Sequence, residues 1–341
     1  MKTNKKETII TSAIKLIFAI ILIILILLAC SNTQEKQLNN DTSNDLYDVW
    51  GSSSSDVFAV GSEGSILHFN GVNWSYMSSG TNNSLYAVWG NSNDDVFAVG
   101  AKGTILHFKG IDWSMMSSGT ENDLNDVWGS SSNDVFTISR DGPILHYDGK
   151  SWQSMTHEPY FYLQGIWGSA SDDVFAITDN KILHYDGKSW DVIYKGSPLL
   201  YCIWGSSSKD VYATGASYVV GPVDNISSQT NMLHYEGVEW RWQPLIVDNV
   251  NVIISISGSS SDDIYTISGS GTILHYNGSN WNTVYDNDSI HLLKIWGNST
   301  DGIFAVGNDG IILHCKNPSV LTLDNSNAVE ILRMQECNAP H

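Results

Sequence analysis

Three observations predict an all-β fold made of seven copies of one unit. A Trp-Gly pair recurs at Trp50, Trp89, Trp128, Trp167, Trp204 and Trp296, and a seventh copy survives as Ser257-Gly258. A Leu-His pair recurs with it, at His68, His107, His146, His184, His234, His275 and His314. Between these markers lie short β-branched and aromatic runs bounded by Ser, Asn, Asp and Gly, which is strand composition. The Trp intervals are 39, 39, 39, 37, 53 and 39 residues, and the His intervals are 39, 39, 38, 50, 41 and 39. Two markers with matched periods of about 40 residues define a structural repeat.

Each unit reads L-x-x-V-W-G-x-S-x-x-D-V-F-A-V-G-x-x-G-x-I-L-H-Y-x-G-x-x-W. In the first copy the strands are expected at 46–50, 56–61, 65–69 and 74–77. The connections are too short for helical crossovers, so neighbouring strands must run antiparallel. Four such strands per unit make the blade of a β-propeller, and seven units make seven blades. Residues 46–341 are therefore read as one seven-bladed propeller. The last copy lacks G-x-x-W, so its outer strand must come from the tail, where 328–334 (AVEILRM) is the candidate. Trp50 and its equivalents are expected to end the first strand and fill the packing between blades.

The segment before the repeats is of another kind. Lys2, Lys5, Lys6 and Lys15 precede or begin an uncharged run, Leu16 to Ala29, that ends at Cys30. That is signal-peptide length and short for a permanent span. The ending resembles the bacterial lipobox. The resemblance implies cleavage after residue 29 and lipid attachment at Cys30, with 30–45 as a polar tether. It places the protein in a bacterial cell envelope, anchored by lipid in the outer membrane. The competing readings are an uncleaved signal anchor and an ordinary signal peptide cut elsewhere.

The whole chain carries 17 basic and 36 acidic residues, a net charge of −19. Four Lys and one Glu precede Cys30, so the remainder carries about −22. Arg140, Arg241 and Arg333 are the only arginines. Phosphate backbones are held by Lys and Arg, so a nucleic-acid partner is excluded as an expectation.

The frame L-x-x-V…VG-x-x-G-x-I-L-x…G-x-x-W is similar to BNR-like and Ycf48-like propeller repeats. It also resembles bacterial lipoprotein arrays with VWG…DVFAVG and ILHYDG-x-x-W. The resemblance covers 46–315. It implies a propeller and leaves the activity open, because propellers host many functions. The sialidase chemistry attached to the BNR name needs an arginine cluster and a Tyr–Glu pair, and no such grouping is visible. Nor is there a G-x-S-x-G, an H-E-x-x-H or a P-loop. The expected function is a non-enzymatic, monomeric binding or scaffold module for a protein or glycan. The alternatives are a glycan-binding lectin and a BNR-type glycoside hydrolase or lyase.

No cofactor and no metal is expected. The seven His sit in strands spaced around a ring, so they are expected to bond structurally. Their partner would be the backbone or the Asp that opens strand two in six copies: Asp56, Asp95, Asp134, Asp173, Asp210 and Asp263. Specificity is expected where the repeat is broken, because loops on rigid scaffolds carry function. Blade four departs at 157–162, with Tyr160, Phe161 and Tyr162. Blade five carries an insertion at 216–231, with Tyr218 and Asp224, and Arg241 follows it. Cys315 and Cys337 are candidates for a disulfide that pins the tail, which export permits. Cys202 is expected as a buried free thiol.

Overall fold

A computed structural model describes residues 44–155, 162–196, 199–220, 226–245, 247, 250, 252–287, 289–315 and 329–332. These form seven four-stranded antiparallel sheets, each with its strands in chain order. Blades one to six are Leu46–Met77, Leu85–Met116, Leu124–Met155, Leu163–Lys195, Leu199–Pro244 and Ile253–Tyr285. Blade seven is Leu292–Cys315 plus an outer strand, Val329–Leu332, that pairs Leu313 with Ile331. The tail thus supplies the missing strand, as the repeat count requires. Cys315 is buried beside it, and its candidate partner Cys337 lies outside the described residues.

Burial follows the position of each strand in the blade. After its opening Asp56 the second strand is apolar, and Val57, Phe58, Ala59 and Val60 are fully buried because blades cover both its faces. The outer strand alternates, with Trp74 buried and Ser75 exposed, since only one face is covered. The cores lie between blades. One contains Phe58, Val60 and Ile66 of blade one with Leu85, Val96, Leu106, Phe108 and Trp113 of blade two. The outer-strand Trp therefore belongs to the interface with the preceding blade: Trp113 meets Phe58 edge-on with centroids 6.1 Å apart. Each buried aromatic of this kind contributes about 2–3 kcal/mol of transfer free energy.

The Trp-Gly pair has a joint explanation. The ring of each inner-strand Trp lies over the Gly of the next blade. A Cβ on Gly90 would fall 2.4 Å from the Trp50 ring, and one on Gly129 2.6 Å from Trp89. Gly is required there by the close approach of the neighbouring ring. The inner strand continues to Ser53, three residues past Trp50, because a bulge between Gly51 and Ser53 keeps the ladder in register to the turn. Trp50 is only half-buried, because the inner strand borders the central channel.

Ring closure repeats the internal junctions. Trp296 of blade seven packs on Gly51 of blade one. Phe304 meets Phe69 at 5.7 Å and Trp74 at 6.0 Å. The Lys102 N–H donates to Asp123, and in the same manner the Asp309 N–H donates to Asp45 across the closure, at 3.0 Å.

Candidate binding face and central channel

The blades define two faces. On the upper face the second strand turns into the third and each outer strand passes to the next blade. The lower face carries the other two turns of every blade.

All seven inner strands begin with a β-bulge, which leaves one extra residue unpaired. These residues are Tyr47, Tyr86, Asn125, Gln164, Tyr201, Ile254 and Leu293, and all are half-buried at the upper mouth of the channel. A bulge re-aims its side chain out of the sheet, so these residues leave their blade's ladder, although Ile254 still packs against the core between blades six and seven. The ring is most aromatic at blades one and two, where Tyr47 and Tyr86 lie 5.8 Å apart. Burial, then the nearby Asp123 carboxylate, raises the Tyr86 phenol above its usual value, and the Arg140 charge partly opposes this. The Arg140 guanidinium lies 5.3 Å from the centre of the exposed Tyr162 ring. A track of Tyr47, Tyr86, Arg140 and Tyr162 thus spans blades one to four.

Strands two and three of blade five extend on this face. The blade-five insertion prolongs strands two and three as a hairpin, with Asp210–Val220 paired to Ile226–Tyr235 out to Val220↔Ile226. Tyr160, Phe161 and Asp224 lie outside the described residues, as does the side chain of Tyr218. Arg241 does not join Tyr162. It sits at the lower end of blade five's outer strand, exposed, with Glu239 at 2.7 Å and Glu236 at 3.6 Å.

One residue below each bulge residue, and two above each inner-strand Trp position, lies a second ring that the repeat consensus does not mark. Its members are Asp48, Ala87, Asp126, Gly165, Cys202, Ser255 and Lys294, the third residue of each L-x-x-V frame. Three of them accept from a backbone N–H of the neighbouring inner strand: Asp48 from Val88 at 2.8 Å, Asp126 from Ile166 at 2.9 Å and Ser255 from Ile295 at 3.1 Å. Lys294 Nζ stands 3.7 Å from Asp48 Oδ1, beyond direct hydrogen-bond range. Burial pushes Asp48 up to about 6 despite the Lys294 charge, and pushes the Cys202 thiol up to about 11. Asp126 is raised for the same reason. Lys294 holds its proton firmly, because the attraction of Asp48 and Asp126 outweighs its desolvation. The signal in the sequence was the variable third position of the repeat: a frame-constant site whose charge changes from blade to blade.

The His–Asp pairs lie within the blades toward the lower face. His68 Nε2 meets Asp56 at 2.6 Å, and the same pairing recurs in blades two to six. Each ring stacks on a second-strand aromatic, such as Phe97 on His107 at 3.9 Å. Burial lowers His107 below its usual value. None of these His lines the channel cavity. Near blade six, Ser299 joins His275 and Asp263, with its Oγ 3.2 Å from His275 Nε2 and 2.5 Å from Asp263 Oδ1. Nucleophilic activation needs the carboxylate on the opposite ring nitrogen from the hydroxyl. Here Asp263 also takes Nε2, at 2.9 Å, so the group is a hydrogen-bonded triangle and not a proton relay.

The sheets and channel define the chain as a seven-bladed β-propeller with four-stranded antiparallel blades. Among solved structures it is similar to a YCF48 bound to a D1 peptide, with 15% identity, a TM-score of 0.64, and coverage of 80% of this chain and 94% of that one. It is likewise similar to YCF48 from Cyanidioschyzon merolae, with 16% identity, a TM-score of 0.64, and coverage of 84% and 99%. A third neighbour is the GH74 enzyme of Niastella koreensis, with 13% identity, a TM-score of 0.64, and coverage of 84% of this chain and 53% of that one. The chain thus spans about half the length of that enzyme. Likeness at these identities concerns the fold. No protein-family model and no curated protein matches the sequence.

Proposed function

We propose that this chain is a non-enzymatic binding module that presents its upper face to a protein partner and is held in the bacterial envelope by lipid on Cys30. The observation that carries this reading is the track of Tyr47, Tyr86, Arg140 and Tyr162. Tyr and Arg supply large contact area with polar tips, and they dominate protein-interface energetics. The scaffold beneath them is rigid, so little ordering is needed on binding. The blade-five hairpin rises from the same face and adds a second contact element. A structural neighbour, the YCF48 bound to a D1 peptide, supports a polypeptide over a glycan as the ligand.

The test is affinity capture of the tagged full-length lipoprotein from its own envelope. The double variant Tyr86→Ser, Tyr162→Ser should lose the captured protein at least tenfold while keeping its thermal transition. Undiminished capture by a folded double variant would refute the assignment of the upper face.

A further inference from the structure

The channel holds a cavity of about 220 Å³ whose lining changes character along its length. Asp48, Asp126 and Lys294 lie at one end. Val49, Val88, Val127 and the isoleucines of the later blades line the middle. Trp50, Trp204 and Trp296 lie at the other end. One water occupies about 30 Å³ in the liquid, so the space suits a ligand the size of a side chain. Two features set it apart from a filled propeller axis. First, its charged lining residues are two carboxylates and one ammonium, a surplus of one negative charge. Second, the ring of inner-strand Trp is broken at Ser257, which lines the cavity and binds the backbone of Gly297 in place of packing an indole on it.

The carboxylates are built into the wall. Asp48 is 4% exposed, and its two oxygens accept the Val49 and Val88 N–H groups at 2.9 and 2.8 Å. Asp126 is held likewise by Val127 and Ile166. Each oxygen retains a further acceptor site. The Lys294 side chain is 34% exposed, and its ammonium lies 3.7 Å from Asp48 Oδ1. Aromatic faces and carboxylates together select cations, above all where water is largely excluded.

We infer that the central channel is a binding site for one primary alkylammonium group, held by Asp48 and Asp126 with its methylenes along the Val, Ile and Trp wall. The upward push on Asp48 from burial agrees with this, because a bound cation would offset the cost of the surplus charge. The titratable and charged groups that act on Asp48 are Lys294 and Asp126. The ammonium has two sources, a free alkylamine or a lysine side chain of a polypeptide. The site is distinct from the upper-face track and does not depend on it.

The experiment titrates the full-length chain with n-butylammonium and, separately, with the peptide acetyl-Gly-Lys-Gly-amide, following tryptophan fluorescence and calorimetric heat. n-Butanol and acetyl-Gly-Nle-Gly-amide, with norleucine for lysine, are the neutral controls. Saturable binding of either cation, with none of its neutral analogue, is expected. Lys294→Met removes the competing charge and should tighten binding at least tenfold, whereas Asp126→Asn should weaken it at least tenfold. A tighter Lys294→Met variant is a result that a purely structural lysine would not give. Binding of butylammonium alone assigns the site to small amines, and binding of the peptide assigns it to a lysine side chain. Equal responses to cation and neutral analogue, or Lys294→Met and Asp126→Asn variants that retain the parent's thermal transition and bind as it does, would overturn the inference.

Discussion

Replacing Asn91 by Ser should stabilise the protein by about 1–2 kcal/mol. The reason is a defect in one copy of a repeated network. In blade one, Ser52 Oγ donates to Asp56 Oδ2 at 2.6 Å, while the other oxygen of Asp56 takes His68. The same Ser–Asp bond is 2.5 Å for Ser130 and 2.6 Å for Ser259, and it recurs at Ser169 and Ser206. Blade two has Asn91 at this position, and its amide turns away to Ser132 Oγ at 3.1 Å. Asp95 Oδ2 is left buried with no partner among the described residues. A hydrogen bond to a charged group is worth about 1.5–3 kcal/mol, and an orphaned buried acceptor costs a comparable amount. The exposed Asn91–Ser132 bond lost in exchange is worth a fraction of that, which leaves the net figure above. For a domain of this size that corresponds to roughly 2–4 °C in melting temperature. The assay is urea and thermal denaturation of parent and variant at pH 7, with Ser130→Asn as the converse change in blade three. Ser130→Asn should lose about what Asn91→Ser gains. A variant no more stable than the parent, beside a destabilised Ser130→Asn, would show that Asp95 Oδ2 is satisfied by solvent and that the argument from the repeat fails.

Other outcomes follow from the same contacts. Gly90→Ala places a methyl 2.4 Å from the Trp50 ring and should destabilise by about 1–3 kcal/mol in denaturant melts, with partial recovery when Trp50→Leu is added. Asp48 has its folded pKa raised to about 6 from 3.8, so the folded state binds more protons than the unfolded state between those values. Stability from this group is therefore fully present below about pH 4 and falls as pH rises to 6, by up to about 3 kcal/mol. Asp48→Asn should flatten that slope in melts taken every half unit, and an unchanged slope would assign it to other groups. Cys30→Ser should release the protein from membranes into the soluble fraction, and a membrane-bound variant without acyl label would overturn the lipid anchor.

The fold was legible because its determinants repeat. Trp50 on Gly90, Phe58 on His68 and Asp56 on His68 are single contacts read seven or six times over, so the period alone exposes them. Even the outer strand of blade seven followed from the unit's missing G-x-x-W. The candidate sites were less legible for the converse reason. Tyr47 and Tyr86 gain their placement from a bulge, which is a property of register between strands and leaves no mark in one strand's composition. Asp48, Asp126 and Lys294 lie 78 and 168 residues apart along the chain, and only closure of the ring brings them to one cavity. Arg241 shows the limit from the other side: it breaks the repeat, yet its charge is spent on Glu239 and Glu236 at the lower rim.

The closure between blades seven and one uses the same Trp-on-Gly, Phe-on-Trp and backbone-to-Asp contacts as the other junctions. The step from the outer strand ending at Leu332 to the inner strand starting at Leu46 is the spatial equivalent of the step from Met77 to Leu85, which residues 78–84 bridge. Where the polypeptide starts is then a matter of indifference to the ring. A circular permutant joined across that step by a segment of similar length, and opened within 78–84, would keep all seven junctions. The order in which blades leave the ribosome would change while the finished ring would not.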